Sequence, residues 1–122
     1  EVRQAAESLV GNAQVIFIPT DSTVVAALES VLAVAERYRL PVIASDISTA
    51  ARGAAAAYGA DEIQLGRQAG DIALRILFEG ADPATTPVET QAVLDLAVNL
   101  DAAARMGLTI PEDVIERARY QY

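Results

Sequence analysis

Two short polar pairs follow apolar runs in this sequence, and their side chains are of types that suit ligand binding. Thr20-Asp21 follows one apolar run and Ser45-Asp46 follows a second. Ligands of open α/β sheets bind beyond the carboxyl ends of the strands. We therefore expect these four residues to line one ligand-facing edge. Each aspartate is equally suited to capping the helix that follows it, so a ligand contact and a structural cap both stay open.

The two aspartates allow several kinds of site. A carboxylate at a cleft edge suits an amino or hydroxyl group, including the α-ammonium group of an amino acid. Asp21 and Asp46 could also be interpreted as the paired acids of a glycosidase, but nothing in the sequence fixes the separation that this chemistry needs. They could equally be magnesium-binding acids of a receiver domain, yet the chain lacks the lysine of such a site.

The composition removes most catalytic chemistry. The 122 residues include no Cys, no His and no Lys, and all nine basic residues are Arg. Thiolate catalysis, a histidine base, Schiff-base chemistry and a Walker lysine are therefore excluded. We predict a binding protein rather than an enzyme, with no cofactor and no metal site.

Charge and hydropathy narrow the range of partners. The net charge of −8 argues against nucleic acid, which needs a basic footprint, and against anionic lipid. No run approaches the roughly 20 apolar residues of a membrane helix, so no membrane insertion is expected. The sequence opens in a helical pattern with no signal peptide, which suggests an excised piece of a longer chain.

Hydrophobic periodicity predicts the elements that must position the polar pairs. Helical patterns and short apolar runs alternate along the chain. The predicted helices cover residues 2–10, 22–39, 48–52, 62–79 and 100–106. A terminal helix opens at Pro111 and holds Arg117 and Arg119 in its last turn. The predicted strands cover residues 13–18, 42–44, 54–58 and 90–98. This order indicates a single α/β domain over residues 1–122, with a mostly parallel sheet between two helical layers.

A family resemblance emerges from the order of the motifs. It rests on residues 17–25, 40–46, 52–54, 65–68, 87–90, 98–103 and 106–111. In these segments the chain resembles the carboxyl-terminal part of ABC-transporter substrate-binding proteins with the type I periplasmic-binding fold. The nearest branch is the one often described as tryptophan- or tyrosine-type. The match covers nearly the whole chain and is specific for the family, not for the ligand.

The resemblance implies a function and further site residues. The fold would be the flavodoxin-like half of a two-lobed protein, and the chain would supply one wall of a small-molecule cleft, with an amino acid as a candidate solute. Tyr58 and Gly59 would join the first four site residues, because they occupy a crossing between lobes. Gly59 suits a hinge, Tyr58 suits core or cleft wall, and Asp61 suits a cap. The implied partner is an ABC permease, and the implied location is periplasmic or extracellular, at the membrane.

The same resemblance implies that the chain is a partial carboxyl-terminal lobe without its amino-terminal partner. An exposed strand edge and an uncovered helix face at residues 62–79 would follow, so we expect a homodimer. Two other functions stay open: the ligand-sensing domain of a transcription regulator with this fold, and a flavodoxin-like or hydrolase-type enzyme. The enzyme ranks last because the sequence has neither a phosphate loop nor a catalytic triad.

Overall fold

Apolar runs bounded by proline and glycine become short strands, and the amphipathic stretches between them become helices. The computed structural model describes residues 1–91 and 93–122. The helices are α1 (Val2–Leu9), α2 (Ser22–Ala26), α3 (Leu28–Tyr38), α4 (Ser48–Arg52), α5 (Glu62–Phe78), α6 (Leu100–Arg105) and α7 (Glu112–Arg117). The strands are β1 (Ile16–Ile18), β2 (Val42–Ala44), β3 (Ala56–Gly59), β4 (Asp95–Val98) and β5 (Tyr120–Gln121).

The chain divides into two compact units. Unit 1 contains Glu1–Gly59 and Asp95–Tyr122, and unit 2 contains Ala60–Leu94. All five strands lie in unit 1 and form one sheet in the order β1-β2-β3-β4-β5. The β1–β2, β2–β3 and β4–β5 pairs are parallel, and β3–β4 is antiparallel. The predicted α/β fold with a mostly parallel sheet is confirmed.

The core of unit 1 lies against one face of the sheet. Ile16 and Ile18 of β1 are buried, and they belong to one apolar cluster with Leu28 and Val31 of α3. Successive strand residues point to opposite faces, so Phe17 lies on the other face, where it is 63% exposed. Many of the remaining core residues are alanines of the sheet and of α4 and α6, which lets these elements pack closely.

The prediction of one continuous helix over residues 22–39 is wrong, because the observed helix is interrupted. Ala27, with φ −105° and ψ 19°, separates α2 from α3, and its N–H donates to the carbonyl of Val24. The run of β-branched residues in α2 has low helix propensity, which favours the break there. The predicted stop before Pro41 is confirmed: Arg39 takes a left-handed conformation, and α3 ends at Tyr38.

Three predicted strands begin earlier than the observed ones. The strand predicted over residues 54–58 is β3, which covers Ala56–Gly59. The turn that closes α1 extends to Ala13, whose N–H donates to the Leu9 carbonyl, so β1 begins only at Ile16. The strand predicted over residues 90–98 begins at Asp95, the register partner of Gly59. Because β3 ends at Gly59, β4 has no strand to pair with before Asp95. Ala92 of that prediction lies outside the described residues.

The terminal prediction is also corrected. Helix α7 ends at Arg117, so Arg119 does not lie in its last turn, and the next residues form β5. The N–H of Arg119 donates to Leu96, and the N–H of Tyr122 donates to Val98. Pairing with β4 therefore ends the helix and creates a strand that local sequence did not suggest.

Unit 2 consists of α5 and the segment that follows it. Asp61 caps α5 by accepting hydrogen bonds from the N–H groups of Ile63 (2.8 Å) and Gln64 (3.2 Å), as predicted. Glu89 accepts a hydrogen bond from Gln68 (3.1 Å) and forms an ion pair with Arg75. No described residue of α5 is buried.

Candidate functional site

The sheet topology gathers the predicted polar pairs at one edge of unit 1. Because β1, β2 and β3 are parallel, the residues that follow them lie at the same edge of the sheet, which we call the carboxyl edge. Thr20-Asp21 follows β1, Ser45-Asp46 follows β2, and Gly59 ends β3. The edge thus brings these five predicted residues to the ends of three adjacent strands. Neighbouring strands of a sheet lie about 4.8 Å apart.

Asp21 acts as a helix cap. Its Oδ1 accepts a hydrogen bond of 2.9 Å from the N–H of Val24, and its backbone is extended as a capping residue requires. Thr20 and Asp21 are both exposed. The capping role is therefore real, and the described residues give no hydrogen bond to Oδ2 of Asp21 that would prevent a ligand contact.

Ser45 and Asp46 are held more firmly. The N–H of Ser45 donates to the Ile18 carbonyl (2.9 Å), which extends the β1–β2 pairing beyond the strand ends. The Asp46 Oδ1 accepts from the N–H of Ser48 (2.9 Å), and the Asp46 carbonyl accepts from the hydroxyl of Thr49 (2.6 Å). Thr49 is fully buried, so the half-buried Asp46 is tied to the core through the residue three positions ahead.

Gly59 is required for close packing rather than for a positive φ. A Cβ atom at this position would lie 1.7 Å from the carbonyl oxygen of Ser45. Any other side chain would displace the Ser45-Asp46 turn. The glycine therefore fixes the spacing between the end of β3 and the turn after β2, a reason different from the hinge suggested by sequence.

Tyr58 does not lie in the core. It is 53% exposed and pairs across the strands with Leu96, and its neighbours Ala57 and Gly59 are buried. Of the two interpretations of Tyr58, core or cleft wall, the core is wrong, and the cleft wall stays a prediction. The side chain lies on the sheet face that also carries Phe17.

An ion pair at the same edge was missed by the sequence analysis. Because β4 runs antiparallel to β3, its first residue, Asp95, stands opposite Gly59. Arg119 precedes β5, and its Nη1 lies 2.7 Å from Oδ2 of the buried Asp95. No local signal identifies this pair, because Arg119 reaches Asp95 only through the pairing of β5 with β4. This pair lies at the β4–β5 end of the carboxyl edge and joins the starts of these two strands.

Arg52 has a structural role. Thr49 of α4 is fully buried, so Ser48, Thr49 and Arg52 do not share one solvated helix face. The Arg52 Nη2 donates to Oε1 of Glu29 (2.8 Å) and to the carbonyl of Val25 (2.9 Å). The hydrogen bond from Arg52 lowers the pKa of the Glu29 carboxyl below its ordinary value.

Unit 1 has depressions at both ends of β1, and neither lies on the carboxyl edge. An apolar groove of about 190 Å³ runs between α1, β1 and α2, and Leu9, Phe17 and Val24 are among its lining residues. A second depression of about 370 Å³ lies between the end of α1 and the end of α3. None of the six predicted site residues lines either one. Among the described residues no cluster of three potential metal ligands occurs.

The chain is similar to substrate-binding proteins both by family model and by sequence identity. The family model described as ABC transporter substrate binding protein matches residues 1–121. A tyrosine-binding protein of Clostridioides difficile is 38% identical over 108 residues, which are 88% of this chain and 31% of that protein. The chain therefore spans about a third of the length of this curated relative.

Solved structures resemble the chain over nearly its full length. A conserved domain protein of Vibrio cholerae gives a TM-score of 0.87 at 35% identity, covering 99% of this chain and 40% of that one. An ABC domain in complex with L-Trp from Streptococcus pneumonia gives 0.86 at 25% identity, covering 100% and 41%. A ligand-free, open substrate-binding protein with adhesive properties from Clostridium difficile gives 0.76 at 32% identity, covering 100% and 40%.

Proposed function

Because the chain belongs to the ABC transporter substrate-binding protein family, we propose that its carboxyl edge forms one wall of a cleft for an amino acid. Proteins of this family bind substrates and are not enzymes, which agrees with the predicted absence of catalysis. One relative is a tyrosine-binding protein, and one similar structure is a complex with L-Trp. Both support an aromatic amino acid as the solute. In this proposal the chain is a single α/β domain, part of a carboxyl-terminal lobe.

The observation that carries the proposal is the pairing of Asp21 and Asp46 at adjacent strand ends. Asp21 uses Oδ1 to cap α2, and Asp46 uses Oδ1 to accept from the N–H of Ser48 at the start of α4. In each carboxylate Oδ2 can accept from a ligand. A ligand ammonium group supplies the donors that such an acidic edge accepts. Thr20 and Ser45 add hydroxyl groups beside the two carboxylates, and Gly59 keeps the Ser45-Asp46 turn in place.

The role proposed for Tyr58 is a wall contact through its exposed ring. Aromatic side chains offer a large apolar surface with one polar atom, which suits an aromatic solute. Because Tyr58 lies on a sheet face rather than beyond a strand end, its contact is expected to be peripheral to those of Asp21 and Asp46.

The transport role extends the binding role. We propose that the full-length protein delivers its solute to an ABC permease from the periplasmic or extracellular side of a membrane. No helix among residues 1–91 and 93–122 is long and apolar enough to span a membrane. Closure of the complete protein around the solute would create the form that the permease recognises.

We also propose that this chain self-associates. Two surfaces suit a second copy: the free edge of β1, and the face of α5 where Ile63 and Leu77 are 68% and 72% exposed. Light scattering of the purified chain is expected to give the mass of a dimer at high concentration. A monomer at every accessible concentration would contradict self-association and would leave the solute site unaffected.

Calorimetry with matched ligands tests the solute site. The chain supplies one wall, so we expect weak binding of L-tryptophan, with a dissociation constant well above micromolar. Asp46→Asn keeps a capping oxygen for Ser48 but removes the charge, and should weaken L-tryptophan binding about tenfold, or 1.4 kcal/mol. Indole-3-propionate, which lacks the ammonium group, should bind the variant and the parent chain equally.

A second asparagine variant controls for the loss of one negative charge. Asp101→Asn, an exposed site in α6, serves as the charge-matched control and should leave the L-tryptophan affinity unchanged. Equal weakening by both variants would indicate a general electrostatic effect and would contradict a specific ammonium contact at Asp46.

A further inference from the structure

Arg52 joins three helices of unit 1 at a place where the chain is interrupted. It is the last residue of α4, and its Nη2 donates to the carbonyl of Val25 in the last turn of α2 (2.9 Å). The same guanidinium binds Oε1 of Glu29 in the first turn of α3, with Nη2 at 2.8 Å and Nε at 3.1 Å. Val25 and Glu29 flank Ala27, where α2 ends and α3 begins, so one side chain bridges the interruption.

Helix α2 is too short to fix its own position. It has five residues, none of which is buried, and Val24 and Val25 pack half-buried against the core. Isolated helices shorter than about 12 residues are marginal in water, and β-branched residues lower helix propensity further. The place of Asp21, which caps this helix, therefore depends on contacts from elsewhere in unit 1.

Helix α4 is equally short but is anchored in the core. Thr49 and Ala50 are fully buried, and the carbonyl of Ala50 accepts a hydrogen bond from the side chain of Asn99 (2.8 Å). Close-packed and hydrogen-bonded residues have little freedom to move. Asp46 at the start of α4 and Arg52 at its end thus share one rigid support.

From this contrast we propose that Arg52 is a positioning residue. It holds Asp21 at a fixed place relative to Asp46, so that one ammonium group can bind both carboxylates. The inference rests on the amino-acid cleft proposed above and adds to it a residue that does not touch the solute. An ammonium group has three N–H donors and satisfies two carboxylates only when these stand at a suitable separation. Groups that are ordered before the ligand arrives bind it more tightly.

Calorimetry on Arg52→Gln tests the proposal, because charge and positioning act in opposite directions. The variant removes a positive charge from the elements that carry Asp21 and Asp46, and on electrostatics alone it should strengthen the binding of an ammonium group. Loss of positioning should instead weaken L-tryptophan binding, and we expect about a fivefold effect. The side chains of the Arg52 ion pair are 36% and 68% exposed, so the variant leaves no buried charge and should fold. An unchanged or stronger affinity would contradict the proposal.

Arg105→Gln is the matched control for the lost charge. Arg105 of α6 donates to Glu36 of α3 (2.9 Å) in an ion pair of similar exposure that joins other helices. This variant should leave the L-tryptophan affinity unchanged. Equal weakening by Arg105→Gln and Arg52→Gln would contradict a positioning role for Arg52.

A double-mutant cycle identifies the displaced group. Asp21→Asn should weaken L-tryptophan binding in the parent chain and much less in Arg52→Gln, because Asp21 is already misplaced there. Asp46→Asn should weaken binding in both backgrounds, since α4 keeps its place in the core. Additive effects of Asp21→Asn and Arg52→Gln would refute the coupling.

Hydrogen exchange without solute tests the positioning independently of the cleft. The amides of Val25 and Thr49 make matched bonds, to the carbonyls of Asp21 and Asp46 (2.9 and 3.1 Å). In Arg52→Gln exchange at Val25 should accelerate at least about threefold, while exchange at Thr49 stays unchanged. Unchanged exchange at Val25 would refute the proposal whatever the affinities. An Asp46→Asn variant that binds L-tryptophan as tightly as the parent chain would instead contradict the cleft, so the two failures are distinguishable.

Discussion

Helices α3 and α5 have similar amphipathic patterns but very different burial. In α3, five of its residues are buried, among them Leu28 and Val31. In α5 none of the described residues is buried, and Leu77 is 72% exposed. An apolar stripe therefore predicts that a helix forms, but not how much of the stripe is covered. Unit 1 gains stability from its core, whereas α5 depends on its length, its cap and pairs on its surface.

The largest expected effect separates the two helices directly. Leu28→Ala removes a fully buried side chain and should lower the free energy of unfolding by about 2–5 kcal/mol. Leu77→Ala removes a similar volume from solvent and should change it by less than about 0.5 kcal/mol. Urea denaturation followed by circular dichroism measures both. Equal losses would show that α5 is covered in solution.

Glycine-to-alanine substitutions should change the free energy of unfolding in opposite directions in unit 1 and in α5. In Gly59→Ala the added Cβ would lie 1.7 Å from the Ser45 carbonyl oxygen, so we expect destabilisation by about 1–3 kcal/mol and displacement of the Ser45-Asp46 turn. Gly70→Ala in α5 meets nothing within 4 Å and should stabilise the helix by about 0.5–1 kcal/mol. Thermal denaturation distinguishes them, and a gain in stability from Gly59→Ala would contradict the packing described for it.

The helix caps give a smaller effect. Asp21→Ala and Asp61→Ala each remove a side-chain acceptor from a helix N-terminus and should cost about 0.5–2 kcal/mol. The asparagine variants keep the acceptor and should retain most of the stability. Hydrogen exchange at Val24 and Ile63 reports each cap locally. Full retention of amide protection in the alanine variants would mean that the caps do not order these turns.

The smallest effect is on pH dependence and is similar in the two units. Hydrogen bonds from Arg52 and Arg75 lower the pKa of Glu29 and Glu89, respectively, below the ordinary 4.5. A carboxyl whose pKa is lower in the folded state stabilises the fold when the pH is above its unfolded-state pKa. This stabilisation is lost as the pH falls from about 4.5 through the lowered folded-state pKa. Carboxyl NMR titrations should show each pKa rising in Arg52→Gln or Arg75→Gln. An unchanged Glu29 pKa in Arg52→Gln would contradict that ion pair.

Local signals predicted the elements that have sharp boundaries. Strand β2 and helix α4 were predicted at their observed bounds, because Pro41 and Gly53 delimit them. Strand β5 could not be predicted, since two residues become a strand only by pairing with β4, which is distant in sequence. The break at Ala27 was missed because the apolar pattern continues across it.

The candidate site divides in the same way. The polar pairs at Thr20-Asp21 and Ser45-Asp46 were predictable because strand, turn and helix follow one another locally. The Asp95–Arg119 ion pair was not, since it depends on the antiparallel direction of β4. The exposure of Tyr58 was also hidden, because its neighbours are small residues that suit either face of a sheet.

The central claim is that the carboxyl edge binds the ammonium group of an amino acid, and NMR titration of the isotope-labelled chain tests it most directly. Adding L-tryptophan should shift the backbone amides of Ser45, Asp46 and Asp21 in a saturable, fast-exchange manner. The same titration with indole-3-propionate should shift them much less. Saturable shifts confined to α5 or to the end of α3, with the amides of the carboxyl edge unmoved, would contradict the account.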